Sequence, residues 1–240
     1  MTRPFKTILL LFIFLQSLLV VGQTKTADSL FEKSYLKLKR EIDTTFSDAY
    51  LRDSLFKTLD SLVIKFFKDQ TTFNYSFKIL EDYSVLTYGQ LRVLTMDARN
   101  GGSFHQTKTF IQYKGTKGKI GLKVIDGTAT GETEDNLGYT NLYLLKPPNL
   151  YLLVGSGTGC NSCFFYGARA FEIQGDSLLD YPAFNDKSCF IIDTDNYDKT
   201  NFHYASVDRV LSYIYMDKGK LIEGFYIFNW EKDKFVKKTW

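Results

Sequence analysis

The chain begins with an apolar stretch and then changes hydrophobic period twice. Arg3 and Lys6 precede Ile8 to Val21, a run interrupted only by Gln16 and Ser17. Basic residues, a short apolar run and Val20-Val21-Gly22 at the cleavage positions predict a secretory signal peptide over residues 1–22. A spanning helix needs about 20 apolar residues, more than this run supplies. No cysteine stands at the cleavage point to accept a lipid, and Gln23 would begin the mature chain. No later stretch reads as a spanning helix, so no transmembrane anchor is expected after cleavage. The expected location is exported: periplasmic, cell-surface or extracellular.

From Asp28 to about Lys68 the period is helical. Leu30, Ser34, Leu38 and Ile42 recur every fourth residue, and so do Leu51, Leu55, Leu59, Leu62 and Phe66 after a break near Thr44 to Ser47. Lys37, Arg40, Arg52, Lys57 and Asp60 mark the opposite faces. Two amphipathic helices follow, with Ser47 or Asp48 as N-cap of the second. Residues 23–70 are therefore read as a helical segment packed on the remainder of the chain.

Beyond Phe73 the period falls to two. Ile120, Leu122 and Val124 alternate with Gly121, Lys123 and Ile125, and Leu150, Leu152 and Val154 with Tyr151 and Leu153. Val210–Met216, Leu221–Phe228 and Phe235–Trp240 are rich in β-formers. Lys117-Gly118, Gly175-Asp176, Lys218-Gly219 and Lys146-Pro-Pro-Asn149 supply turns. Strands joined by such short connections must run antiparallel. The expected class is α+β, mostly antiparallel: a helix pair, then a β-meander body of about ten or eleven strands over residues 71–240. That is too many strands for one flat sheet, so a sandwich, a barrel or a propeller-like array is expected. Gly127 to Gly138 reads as an exposed loop.

Removing residues 1–22 takes the formal charge from +3 to about +1. A near-neutral chain without a basic cluster argues against nucleic acid as a partner. The 21 Phe and 16 Tyr favour sheet and core packing, with ring stacking on a ligand as the alternative.

Candidate chemistry is sparse. Cys160, Cys163 and Cys189 allow one disulfide and leave one thiol. The preferred pairing joins Cys189 to Cys160 or Cys163, and a Cys160–Cys163 bridge is the alternative. Thiol redox catalysis needs a helix N-terminus to lower a cysteine pKa, and the C-x-x-C leads into a strand instead. A zinc site from the cysteines and His203 lacks a second pair of closely spaced ligands. Gly155, Ser156 and Gly157 of the glycine-rich run Gly155–Gly159, with His105, are ligand-loop candidates. Backbone N–H groups there could approach an anion, but no helix N-terminus or lysine follows as a phosphate loop needs, and a glycine-rich hairpin loop is the favoured reading. Ser103 and Ser156 lack the flanking pattern of an esterase nucleophile. Asp193, Asp195 and Asp198 are a calcium candidate with oxygen ligands at alternate positions, although the full calcium-loop pattern is missed.

Leu91–Asp97, Gly101-Gly-Ser-Phe-His105 and Ile111-Gln-Tyr113 carry a resemblance to uncharacterised β-rich proteins secreted by Bacteroidetes-type bacteria. The resemblance implies a periplasmic or surface location and carries no activity. The expected function is a non-enzymatic binding or structural module of the cell envelope, without cofactor. Its partner is expected to be a small molecule, a glycan or an envelope protein. The alternative is an extracytoplasmic hydrolase whose carboxylates and histidines converge only in the fold.

Overall fold

A computed structural model describes residues 29–45, 48–75, 77, 85–97, 105–160, 163–195 and 199–238. The expected signal peptide, the glycine pair with Ser103, and Asp198 lie outside them. The chain divides into two compact units, Met1–Glu81 and Asp82–Trp240.

The first unit holds helix α1, over 29–44, and helix α2, Ala49–Lys68. Asp48 is the N-cap of α2: its side chain accepts a hydrogen bond from the Leu51 N–H at 2.9 Å, satisfying a donor that the first turn leaves open. Ile42, Leu59 and Phe66 are buried as the expected faces require, but the buried surface also takes in neighbouring positions. Leu30 and Leu51 are exposed, whereas Phe31, Tyr35 and Ile42 on α1 and Phe56, Leu59, Val63, Phe66 and Phe67 on α2 are buried. The aromatic rings decide this orientation. Phe31 stacks on Phe66 with centroids 3.9 Å apart, and Phe77 packs against both. Tyr75 donates to Glu32 at 2.9 Å, so this buried carboxylate is hydrogen-bonded. Among the described residues no helix is long and apolar enough to cross a membrane.

The second unit is built from three antiparallel meanders. Sheet A contains β1 (Val85–Tyr88), β2 (Leu91–Asp97), β3 (Thr107–Lys114) and β4 (Ile120–Asp126). Sheet B contains β5 (Gly138–Lys146), β6 (Leu150–Cys160), β7 (Cys163–Gln174) and β8 (Ser177–Asp180), with β9 (Cys189–Thr194) also paired to β7. Sheet C contains β10 (Asn201–Ala205), β11 (Val210–Asp217), β12 (Lys220–Asn229) and β13 (Lys234–Lys238). The α+β, mostly antiparallel expectation is met, with thirteen strands among the described residues and no closed barrel.

Sheet B is apolar on both faces. On one side Tyr151, Leu153, Phe165, Phe171 and Ile173 pack with Leu91, Val93, Ile111 and Ile125 of sheet A. On the other, Leu150, Leu152, Val154, Ala168 and Ala170 pack with Tyr204, Leu211, Tyr213, Tyr226, Phe228 and Phe235 of sheet C. The body is thus a three-layer stack of sheets. The run Leu150–Val154 has no polar residue because neither of its faces meets water. Each such side chain contributes roughly 1.5–3 kcal/mol on burial.

Aromatic rings fill the layer between sheets B and C. Phe184 stacks on Phe235 at 4.7 Å, and Phe190 contacts Tyr226 at 4.9 Å and Tyr213 at 5.2 Å. A parallel bridge between Phe184 and Phe235, with the Phe235 N–H donating to Ala183 O at 2.7 Å, ties the segment before β9 to β13. The tight turns use their expected residues. Lys218 and Gly219 both have positive φ, 47° and 77°, which suits the two-residue hairpin between β11 and β12.

Charged groups lace the layers at their rims. Lys146 reaches Asp233 at 2.6 Å, joining sheet B to the β12–β13 turn. Arg169 on β7 donates to Asp135 at 2.7 Å and to Asp180 at 2.8 Å, and Asp180 also accepts from Lys123 of β4 at 2.6 Å. Residues 127–138 are the expected exposed segment only in part, at 129–132 and Glu134. They form helix α3 (Gly127–Thr130) and a 3-10 turn (Thr133–Asp135), with Asn136 and Leu137 fully buried. Asn136 Oδ1 accepts from the Thr107 N–H at 2.9 Å, and its Nδ2 donates to Glu132 O at 2.8 Å, which pins this segment to the start of β3.

Two consequences are measurable. Replacing Arg169 with Met should lower the unfolding free energy by about 3 kcal/mol, because Asp135 and Asp180 lose their shared cation. A urea melt within error of wild type would refute that role. Burial alone would raise the Asp180 pKa, but the Lys123 hydrogen bond and the Arg169 and Lys123 charges outweigh it and hold the carboxyl below its ordinary 3.8. A depressed folded-state pKa stabilises above the unfolded value, and the gain disappears as pH falls from 3.8 through the folded value. Urea melts from neutral pH down to below 3.8 should show that acid-side loss in wild type and a shallower one in Asp180→Asn.

Candidate functional site

Burial along β6 marks where the sandwich opens. Leu150 to Gly155 are all buried, Ser156 is exposed, and Gly157 to Gly159 are half-buried. Gly155 to Gly159 belong to β6 itself, which corrects the expected loop. The glycines answer to packing. A Cβ on Gly155 would meet the Gly138 carbonyl, and one on Gly157 would meet the Phe165 ring and the Asn136 carbonyl. Their backbone lies in β-ladders against β5 and β7.

Two cavities flank this end of sheet B. The first, about 360 Å³, is lined by Thr95, Asp97, His105, Thr107, Tyr139, Thr140, Ser156, Thr158, Phe164 and Tyr166 among others. Three of the four ligand-loop candidates, His105, Ser156 and Gly157, meet here, and Gly155 lies one residue inside the sandwich. His105 Nδ1 is 2.7 Å from Asp97 Oδ2, and the His105 N–H donates to Thr158 O at 3.0 Å. β2 supplies Asp97 at its last residue, the approach to β3 supplies His105, and cross-strand register sets Ser156 opposite both Gly138 and Tyr166. Thr95 lies opposite Thr109, two residues beyond Thr107 on β3, and the two hydroxyls are 2.9 Å apart.

The second cavity, about 330 Å³, is lined by Thr133, Gly159, Cys163, Phe164, Phe165, Asp193, Thr194, Asp195 and the turn Met216-Asp217-Lys218. Asp193 and Asp195, two of the calcium candidates, are exposed here beside Asp217. Among the described residues no group of three His, Cys, Asp or Glu side chains is placed to hold a metal ion. His203 sits on β10 opposite Ser212, on an exposed face of sheet C.

The preferred cysteine pairing is overturned. Cys189 is a free thiol, opposite Arg169 in the β7–β9 register. Cys163 begins β7 six residues earlier, roughly 20 Å away at the strand rise of about 3.3 Å per residue. A disulfide spans at most about 7 Å between Cα atoms. Burial, opposed by the Arg169 charge and reinforced by Glu134, Asp135 and Asp180, pushes the Cys189 thiol up to about 12. That environment suppresses the thiolate that redox or nucleophilic chemistry requires.

Asp97, Thr95, Thr140 and Tyr166 were not among the residues singled out in the sequence. The one local signal was Asp97 ending a strand just before the glycine pair; the others join the cavity only through pairing register. No family model, curated protein or solved structure matches the chain.

Cys189 should resist Ellman's reagent at pH 8 in the folded, oxidised protein and react fully in denaturant. Rapid labelling under native conditions would contradict the raised thiol pKa.

Proposed function

We propose that the protein is an exported, non-enzymatic binding module of the cell envelope whose first cavity takes a hydroxyl-rich ligand, a glycan. The observation that carries this is the lining of that cavity. Thr95, Thr140, Ser156 and Thr158 offer hydroxyls that both donate and accept, and Asp97 accepts from ligand hydroxyls. Phe164 and Tyr166, the latter backed by Phe202, line the cavity with aromatic surface that suits the apolar side of a sugar. The volume falls near the low end of small-molecule sites, roughly 300–1,000 Å³. Export is supported by the charge and hydropathy pattern of residues 1–22 and by the resemblance to secreted Bacteroidetes-type proteins.

The same reading includes a Cys160–Cys163 bridge, which suits an oxidising compartment. Its support is their opposed positions in the β6–β7 register, disulfide bonding at Cys163 and the free thiol at Cys189. The bridge would close the hairpin beside both cavities.

One observation favours the hydrolytic alternative. The His105–Asp97 pair has the orientation-fixing contact of a catalytic base, and Ser156 lines the same cavity. Hydrolysis of p-nitrophenyl acetate that disappears in both Ser156→Ala and His105→Ala would establish it over simple binding.

Titration calorimetry against a panel of neutral saccharides tests the main reading. Binding is expected, weakened about tenfold or more in Tyr166→Ala and Asp97→Ala, or about 1.4 kcal/mol. Absence of binding across the panel, or full affinity in both variants, would remove the cavity's assignment.

A further inference from the structure

We propose that the two cavities form one continuous tract for a linear, uncharged oligosaccharide, with Phe164 as the ridge the ligand crosses. The inference rests on the first cavity being a saccharide site and extends it to the length and charge of the ligand.

Phe164 lines both cavities. Register explains how. Phe164 on β7 stands opposite Thr158 on β6 and opposite Thr194 on β9. Thr158 lines the first cavity and Thr194 the second, so the row Thr158–Phe164–Thr194 runs from one into the other. It covers two strand spacings, about 10 Å, more than a single sugar ring needs. Phe165 on the next residue faces Asp193, which brings the Asp193-Thr194-Asp195 segment to the far end of the tract.

The polar groups differ along this path in a way that suits a polymer of hydroxylated units. Carboxylates stand at both ends, Asp97 in the first cavity and Asp193, Asp195 and Asp217 in the second, with Lys218 the one cation lining the second cavity among the described residues. Carboxylates accept hydrogen bonds from sugar hydroxyls and repel uronic acids or phosphorylated chains. The central ring is half-buried and held by its strand, so stacking on it costs little ordering entropy. Each cavity occupied by the same chain adds binding free energy without a second loss of translational freedom.

Calorimetry of the intact oxidised protein with homologous cello-, malto- and chito-oligosaccharides, from monosaccharide to tetrasaccharide, reads the inference directly. In at least one series the tetrasaccharide should bind about tenfold or more tighter than the monosaccharide. That ratio should collapse in Phe164→Ala and in Asp195→Asn, the latter an exposed position whose change leaves the core intact. Oligogalacturonates should bind more weakly than neutral chains of equal length. Monosaccharide binding with no gain from length, or a gain that survives both substitutions, overturns the tract while the first cavity stands as a sugar site. If no saccharide binds at any length, the proposed function falls as well.

Discussion

Sheet B has to be apolar on both faces because sheets A and C cover it from opposite sides. Most features of the β unit follow from that constraint. A strand buried on both faces has nowhere to place a polar side chain except at its ends, which is why Leu150 to Val154 is wholly hydrophobic. The exception, Arg169, is kept between Asp135 and Asp180, to which its Nη1 and Nε donate, and over the Phe171 ring. Hydroxyls and carboxylates gather instead at the β6–β7 hairpin end, where cover thins and the cavities lie. The position of the candidate site is a by-product of how the layers stack.

Local chemistry explains how much was readable beforehand. The helix pair, the antiparallel meanders and the turn at Lys218-Gly219 depend on periodicity and on nearby backbone requirements, so they were legible. The helix faces were legible in part: Ile42, Leu59 and Phe66 are buried as expected, while Phe31 stacks on Phe66 and Leu30 and Leu51 stay exposed. Residues 127–138 look polar in sequence, yet Asp135 and Asn136 are polar because they satisfy Arg169 and the start of β3.

The candidate site was half legible. His105, Ser156 and Gly157 could be named from a lone histidine and a glycine-rich run, but their meeting depends on strands distant in sequence. Asp97 had no visible partner until the β2–β3 connection placed His105 beside it. The cysteines show the same limit. Counting three of them says that one stays free, and only the register of β7 with β6 and β9 says which. The glycines of β6 carried a misleading signal, since close packing and anion binding ask for the same missing side chain.

The bridge between Phe184 and Phe235 has a temporal side. Phe235 closes the aromatic layer between sheets B and C, and it lies in the last strand among the described residues. During synthesis the β unit therefore lacks one wall of its core until β13 has been added. Sheets A and B can form earlier, as N-terminal portions commonly do. The inner face of sheet C stays open to water until β13 arrives, which keeps that layer loose until then.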